Sequence, residues 1–180
     1  MVKCKESNSK YRGVIILRKF ILEDKLKLVI EDEVLSGIYK FNPINYKHEN
    51  GGVLLGKFNK KENTYIITNI STTNSEDEKG KYFFIRNKKQ AQAVINKYWE
   101  KSNGKINYLG EWHTHDEQYP TPSFVDKQLV KQMLNNKNIE IGNVFMMILG
   151  KNKNLYICTI DGNKKIYKLM EEWNAYIFYK

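Results

Sequence analysis

A single α/β domain with a mixed central β-sheet and flanking helices is the fold class this sequence predicts, and three observations carry it. Short β-prone apolar runs recur along the chain, stretches with helical spacing interrupt them, and no segment repeats. With 180 residues and 41% hydrophobic content, the chain is long enough for one domain with its own core and too short for two comfortable ones.

Taken in order, residues 1–10 are polar and read as a frayed N-terminus, which leaves 11–180 for the domain. Residues 11–22 carry Val14-Ile15-Ile16-Leu17 and Phe20-Ile21-Leu22, an edge strand or hairpin arm, and 26–30 read as a second strand. Val34, Leu35, Ile38 and Phe41 keep helical spacing over 31–41, and Pro43 ends that helix. Strands over 53–58 and 65–70 pair across the polar turn 59–63, with Gly51-Gly52 just ahead where the backbone must bend or be approached closely. Residues 71–81 form a polar loop with no apolar residue, long enough to be functional, and we expect it to border the site and help select the substrate. A short strand over 82–85 precedes a helix over 88–101, whose stripe of Ala91, Val94, Ile95, Tyr98 and Trp99 is read as core and which Gly104 closes. Three strands, 144–149, 155–160 and 165–169, follow with turns at 150–153 and 161–163, and the aromatic-rich end 173–179 is read as a helix.

The net charge of +10 raises nucleic acid as a partner, but the lysines are scattered among asparagines rather than gathered into a patch, and no nucleic-acid-binding signature accompanies them. An acidic protein partner would use the same charge. Cys4 and Cys158 stand far apart without CxxC spacing, so neither a disulfide framework nor a thiolate metal site is indicated. No apolar run reaches about 18 residues and no hydrophobic leader opens the chain, so a cytoplasmic protein without a membrane partner is expected.

The chemistry gathers at Gly110-Glu111-Trp112-His113-Thr114-His115, which holds two of the three histidines. The segment 107–113, with Ile106, Tyr108 and Leu109 at its start, reads as a buried strand, so alternation sends His113 and His115 to one face and Trp112 and Thr114 to the other. Pro120-Thr121-Pro122 forces a turn, after which Ser123-x-x-Asp126 leads into Leu129, Val130, Met133 and Leu134. By itself that second half is a helix start with Ser123 as N-cap, and the histidine pair by itself could be hydrogen-bonded and structural. The readings are compatible, because a helix N-terminus stabilises an ionised aspartate and holds it rigidly. Two imidazoles and a carboxylate are ligand types zinc takes, and three protein ligands leave a fourth position for water. Glu111, two residues before His113 on the same face, is placed by periodicity beside such a site.

The run His113-x-His115, seven residues, then Ser123-x-x-Asp126 resembles the signature of the JAMM metalloproteases, the MPN-plus or JAB-domain zinc isopeptidases. Glu49-Asn50-Gly51-Gly52-Val53-Leu54-Leu55-Gly56 matches the family's upstream glutamate ahead of a glycine-containing apolar strand. The resemblance covers about residues 45–150. It implies a deaminase-like JAB/MPN sandwich, one zinc ion bound by His113, His115 and Asp126, Glu49 as general acid/base, and Ser123 supporting the oxyanion. It also implies a substrate in which the bond follows the C-terminal glycine of a ubiquitin-like protein or of a protein conjugated in that manner. Gly-Glu-Trp-His-Thr-His and Tyr-Pro-Thr-Pro-Ser are similar to the bacterial JAB proteases of CBASS antiphage operons, where ubiquitin-transfer-like (E1/E2-like) enzymes of the same operon are partners. The residue after the second histidine is commonly proline in the family and is Asp116 here, a difference that bears on loop shape. An inactive MPN-type scaffold would lack ligands that are all present, and the His-Asn-His-Pro run of a DNA-repair-linked relative is absent.

Overall fold

The computed structural model describes residues 17–22, 26–134, 142–163 and 165–172, so the expectations for 1–10, 11–16 and 173–179 lie outside the described residues. Strands β1 (Leu17–Leu22) and β2 (Leu26–Glu31) form an antiparallel pair. Strand β2 runs directly into helix α1 (Asp32–Tyr39), whose acidic first turn suits the positive end of the helix dipole and which buries Val34, Leu35 and Ile38. Pro43 does not merely follow the helix: it opens a 3-10 turn, Pro43–Asn45, in which the Asn42 side chain accepts the Ile44 N–H. Strands β3 (Gly51–Asn59) and β4 (Thr64–Ile70) pair antiparallel, with Asn63 at φ 46° turning the chain between them.

The expectation of an unstructured 71–81 segment is corrected in part. Strands β5 (Glu78–Gly80) and β6 (Phe83–Ile85) make a separate two-stranded sheet whose turn is Lys81-Tyr82. Helix α2 (Lys88–Lys101) begins at Asn87, whose side chain accepts the Gln90 N–H, and closes at Gly104 (φ +77°), whose N–H donates to the Trp99 carbonyl at 2.8 Å. Of its predicted core stripe only Ala91 is fully buried, and Trp99 remains 50% exposed. Strand β7 (Asn107–Thr114), helix α3 (Phe124–Leu134), and strands β8 (Val144–Leu149), β9 (Leu155–Ile160), β10 (Ile166–Lys168) and β11 (Met170–Glu172) complete the described chain.

The main sheet has nine strands in the order β10-β9-β8-β7-β3-β4-β2-β1-β11, mixed because β7–β8 and β2–β4 are parallel. The predicted strand 165–169 is β10, and after Leu169 alone the chain enters β11, a strand not predicted, at the opposite edge of the sheet. Two residues of chain span at most about 7 Å, so the sheet must curl until its edges meet. Its concave face closes around α1, with Leu28, Ile30, Leu35, Ile38, Leu54, Trp112, Phe145, Met147 and Leu169 in one core. Helix α2 lies over β3 and β7 and α3 over β8 and β9, covering Val53, Leu55, Val130, Met146, Ile148 and Cys158 on the convex face. There burial pushes the Cys158 thiol up to about 12, which keeps it protonated and inert.

Two local features set the register at the centre. A bulge at Leu109-Gly110, where Gly110 sits at φ +150° against the Phe145 backbone, lets Leu109 and Trp112 share the concave core although an odd and an even position would otherwise face opposite ways. Beyond the end of β4 the ladder to β3 is continued by side chains: Ser71 Oγ accepts the Val53 N–H at 2.9 Å and Thr73 Oγ1 accepts the Gly51 N–H at 2.9 Å. That brings the Ser71 carbonyl onto Gly52, where a Cβ would overlap it. Gly52→Ala is therefore expected to lose about 1–3 kcal/mol in urea unfolding. Gly162→Ala, which meets open space, should stay within about 0.5 kcal/mol of wild type, and equal losses in the two would contradict this packing.

Candidate metal centre

Strand β7 is hydrogen-bonded to β3 on one side and β8 on the other, with His113 opposite both Gly51 and Ile148. The His115 N–H donates to the Leu149 carbonyl at 3.0 Å, which keeps the backbone extended one residue past the strand and sends both imidazoles to the convex face. Trp112, 1% exposed, points into the opposite core and donates its indole N–H to the Ser71 carbonyl at 2.9 Å. The chain then turns through Pro120 and Pro122 and returns at the start of α3. Ser123 Oγ accepts the Asp126 N–H at 3.1 Å and an Asp126 carboxylate oxygen accepts the Ser123 N–H at 2.7 Å, a reciprocal cap that fixes the aspartate rotamer.

The cap delivers the carboxylate to the histidines. His113 Nε2 and His115 Nε2 lie 3.0 Å apart, His113 Nε2 is 3.2 Å from Asp126 Oδ1, and His115 Nε2 is 3.4 Å from Asp126 Oδ2. A tetrahedral ion with bonds near 2.0–2.1 Å spaces its donors about 3.3–3.4 Å apart, close to the distance from each imidazole to its nearer Asp126 oxygen. Two imidazole nitrogens and the two oxygens of one carboxylate, held this close and nearly buried, repel one another unless a cation or a proton lies between them. The donor set and its spacing therefore fit a divalent metal ion.

The charges follow from the same crowding. Burial raises the Asp126 carboxyl, but hydrogen bonds from His113 and His115, their charge and the Ser123 cap outweigh it and hold the group far below the usual carboxylate range. Burial lowers His115, and the hydrogen bond and charge of Asp126 more than reverse this, leaving it raised. Glu49, 9% exposed, sits just ahead of β3 beside this cluster: its N–H donates to the Gly80 carbonyl at 2.8 Å. Next to it, Asn50 and Thr114 exchange two hydrogen bonds, of 2.9 and 3.0 Å, across to β7. Burial raises the Glu49 carboxyl above its ordinary value, against the opposing pull of His113 and His115. A cleft of about 280 Å³ opens beside it, bounded by Tyr46, Lys81, Thr114 and Asp116.

The structure thus brings together all five residues singled out in the sequence, Glu49, His113, His115, Ser123 and Asp126, and leaves His48 exposed. Glu111 is buried as well, but Arg86 Nε donates to its Oε1 at 2.6 Å, Arg86 Nη2 forms an ion pair with the same oxygen, and Tyr108 Oη donates to it at 3.2 Å. Arg86 and Tyr108 were missed by sequence reasoning. The available signal was composition: arginine is scarce here, three against 27 lysines, and only arginine offers the planar fork that such a carboxylate takes. The 71–81 segment does border the site, through Gly80 and Lys81.

The model of the family described as prokaryotic homologs of the JAB domain matches residues 31–163, and the chain belongs to that family. A CD-NTase/cGAS isopeptidase of Escherichia coli (strain TW11681) is 36% identical over 100 residues, which cover 55% of this chain and 63% of that protein. A CD-NTase/cGAS isopeptidase of Pseudomonas aeruginosa (strain BWHPSA011 / Pa011) is 32% identical over 115 residues, 64% of this chain and 70% of that protein. This chain therefore spans a little under two thirds, 63%, of the length of the E. coli relative. The solution structure of a Desulfitobacterium hafniense protein superposes with a TM-score of 0.54 at 16% identity, covering 79% of this chain and 88% of that one, and shares the fold. No helix among the described residues is long and apolar enough to cross a membrane.

The pairing of His115 with Asp126 has a measurable sign. A histidine whose native pKa is raised above 6.5 stabilises fully below that value and loses its contribution as pH rises through the raised one, whereas the lowered Asp126 gives its share above 3.8 and loses it only in strong acid. Protein stripped of metal with a chelator should melt at falling temperature as pH is raised past neutrality, and Asp126→Asn should flatten that slope. A flat wild-type profile would reject the pairing.

Proposed function

We propose that this chain is a zinc-dependent isopeptidase that hydrolyses the bond after the C-terminal glycine of a ubiquitin-like modifier, or of a protein conjugated in that manner, within a CBASS-type antiphage system. The observation that carries the reading is the convergence of His113, His115 and Asp126 on one point beside a buried glutamate. The names of similar proteins, CD-NTase/cGAS isopeptidases and a probable metalloprotease of Sinorhizobium fredii, support the reaction class and a conjugated protein as substrate. E1/E2-like enzymes of the same operon would make that conjugate.

His113, His115 and Asp126 would hold zinc, which when bound supplies a Lewis acid that lowers the pKa of its water towards roughly 7 and polarises a carbonyl. The chain's own residues do the rest. Glu49 takes the proton of the attacking water and returns it to the leaving amine, and its upward-shifted pKa suits a group that must both accept and donate near neutrality. Ser123 uses a lone pair of its hydroxyl to accept the Asp126 N–H, which leaves its O–H proton free to donate to the developing oxyanion. Glu111 is engaged by Arg86 and Tyr108 and acts as a support for the strand rather than as the base.

Elemental analysis should find about one zinc per chain in the wild type and none in Asp126→Ala. With a conjugate assembled from the operon's own proteins, Glu49→Gln should keep its zinc and lose about 100- to 10,000-fold in kcat. Ser123→Ala should lose about 100-fold, and Glu111→Gln should retain chemistry while melting at lower temperature. Full cleavage by Glu49→Gln would refute its role. Absence of zinc from the reconstituted wild type would return Ser123 and Asp126 to a helix cap.

A further inference from the structure

The loop that leaves His115 and returns at Asp126 is fastened to a part of the fold that contributes no ligand. Between β8 and β9 the chain passes through Gly150 and a 3-10 turn, Lys151–Lys153, to Asn154, with Asn152 and Lys153 at φ 56° and 63°. This turn grips three successive residues of the loop. Lys151 Nζ pairs with Asp116 Oδ1 at 2.8 Å, the Lys151 N–H donates to the Glu117 carbonyl at 2.7 Å, and Asn154 Nδ2 donates to the Gln118 carbonyl at 2.7 Å. Gly150 closes on the loop from the same side: a Cβ there would lie 2.5 Å from Pro120 Cδ and 2.7 Å from the Glu117 carbonyl oxygen. Within the loop, Glu117 Oε2 accepts the Thr121 N–H at 3.1 Å, so the grip is passed on to the segment that enters the Ser123 cap.

These contacts answer a geometric need. His115 lies one residue beyond the end of β7, and Ser123, Phe124 and Val125, which precede Asp126, are exposed, so neither neighbour buries the loop. Ligands to one ion must nevertheless be held to about half an ångström. The ion pair between the half-exposed Asp116 and Lys151 contributes little, as solvent-facing pairs do. The hydrogen bonds to backbone carbonyls and the glycine contact are what fix the loop.

We infer that the Gly150–Asn154 turn is a positioning element of the metal centre, one that sets metal affinity by fixing the loop between His115 and Asp126 while touching no metal itself. The inference rests on the reading of His113, His115 and Asp126 as zinc ligands. It is tested by measuring zinc affinity through competition with a chelator, alongside melts of the metal-free proteins, for wild type, Gly150→Ala, Asn154→Asp and Asp116→Ala. Gly150→Ala forces the loop away from a backbone conformation that alanine itself adopts freely, and Asn154→Asp removes the donor at constant shape. Both should weaken zinc binding at least about tenfold, as loss of outer support does at metal sites; the metal-free melt should stay close to wild type in Asn154→Asp and fall in Gly150→Ala, whose Cβ meets backbone. Asp116→Ala should change affinity little. If Gly150→Ala fails to fold, Asn154→Asp decides alone. Unchanged zinc affinity in both, or a loss in Asn154→Asp accompanied by destabilisation of its metal-free form, overturns the positioning role while the zinc reading stands. A wild type that binds no zinc overturns both.

Discussion

Two histidines one residue apart can serve one ion only while the backbone between them stays extended, and the nine-stranded sheet enforces this by bonding β7 along both edges. Trp112 locks the pleat. Its indole is packed in the concave core and tied to the Ser71 carbonyl, so a slip of one residue would expose the largest core side chain and bury both imidazoles on the wrong face. The close approach of Ser71 to Gly52, the Leu109-Gly110 bulge and the extension of the β3–β4 ladder by hydroxyl groups all serve that one alignment.

Fixing the strand brings three carboxylates into a nearly buried region, and each is handled differently. Glu111 is matched by the fork of Arg86 and by Tyr108. Asp126 is held ionised by the histidines and by the start of α3. Glu49 is shifted the other way, chiefly by burial, and is anchored through its backbone to Gly80. Groups of one chemical type pushed in opposite directions are what a site needs when one carboxylate must stay a ligand and another must exchange a proton. Arg86 serves this division indirectly, because without it the buried Glu111 carboxylate on β7 would have no cation beside it.

Much of this was legible in the sequence. Alternation along 107–115 placed His113 and His115 on one face, and Ser123-x-x-Asp126 before an apolar stripe gave both a cap and a ligand position, since the capping geometry itself aims the carboxylate. Periodicity failed wherever a partner far along the chain decided the outcome. The bulge at Gly110 is required by the Phe145 backbone, 35 residues on, and shows in sequence only as a glycine. Residues 165–169 read as a strand, which β10 is, but alternation could not reveal that the chain crosses to the opposite edge of a curled sheet after Leu169 and pairs there as β11. Trp99 matched the helical stripe of α2, yet the helix closes at Gly104 and leaves the indole against that turn, half in water. Glu111 obeyed the same rule as His113 and His115, and the position of Arg86 separates its surroundings from theirs.

The surroundings of the centre bear on what could reach it. Pockets for small ligands enclose most of the molecule they bind, whereas the His–Asp cluster lies where the convex face meets open loops, with Glu49 bordering a cleft of only about 280 Å³. Large apolar side chains stand exposed on either side: Tyr82 and Phe83 on the β5–β6 hairpin, and Tyr119, Phe124 and Val125 on the loop and first turn of α3. The loop between His115 and Asp126, which carries Tyr119, is held without being buried, by the hydrogen bonds of the Gly150–Asn154 turn to the Glu117 and Gln118 carbonyls.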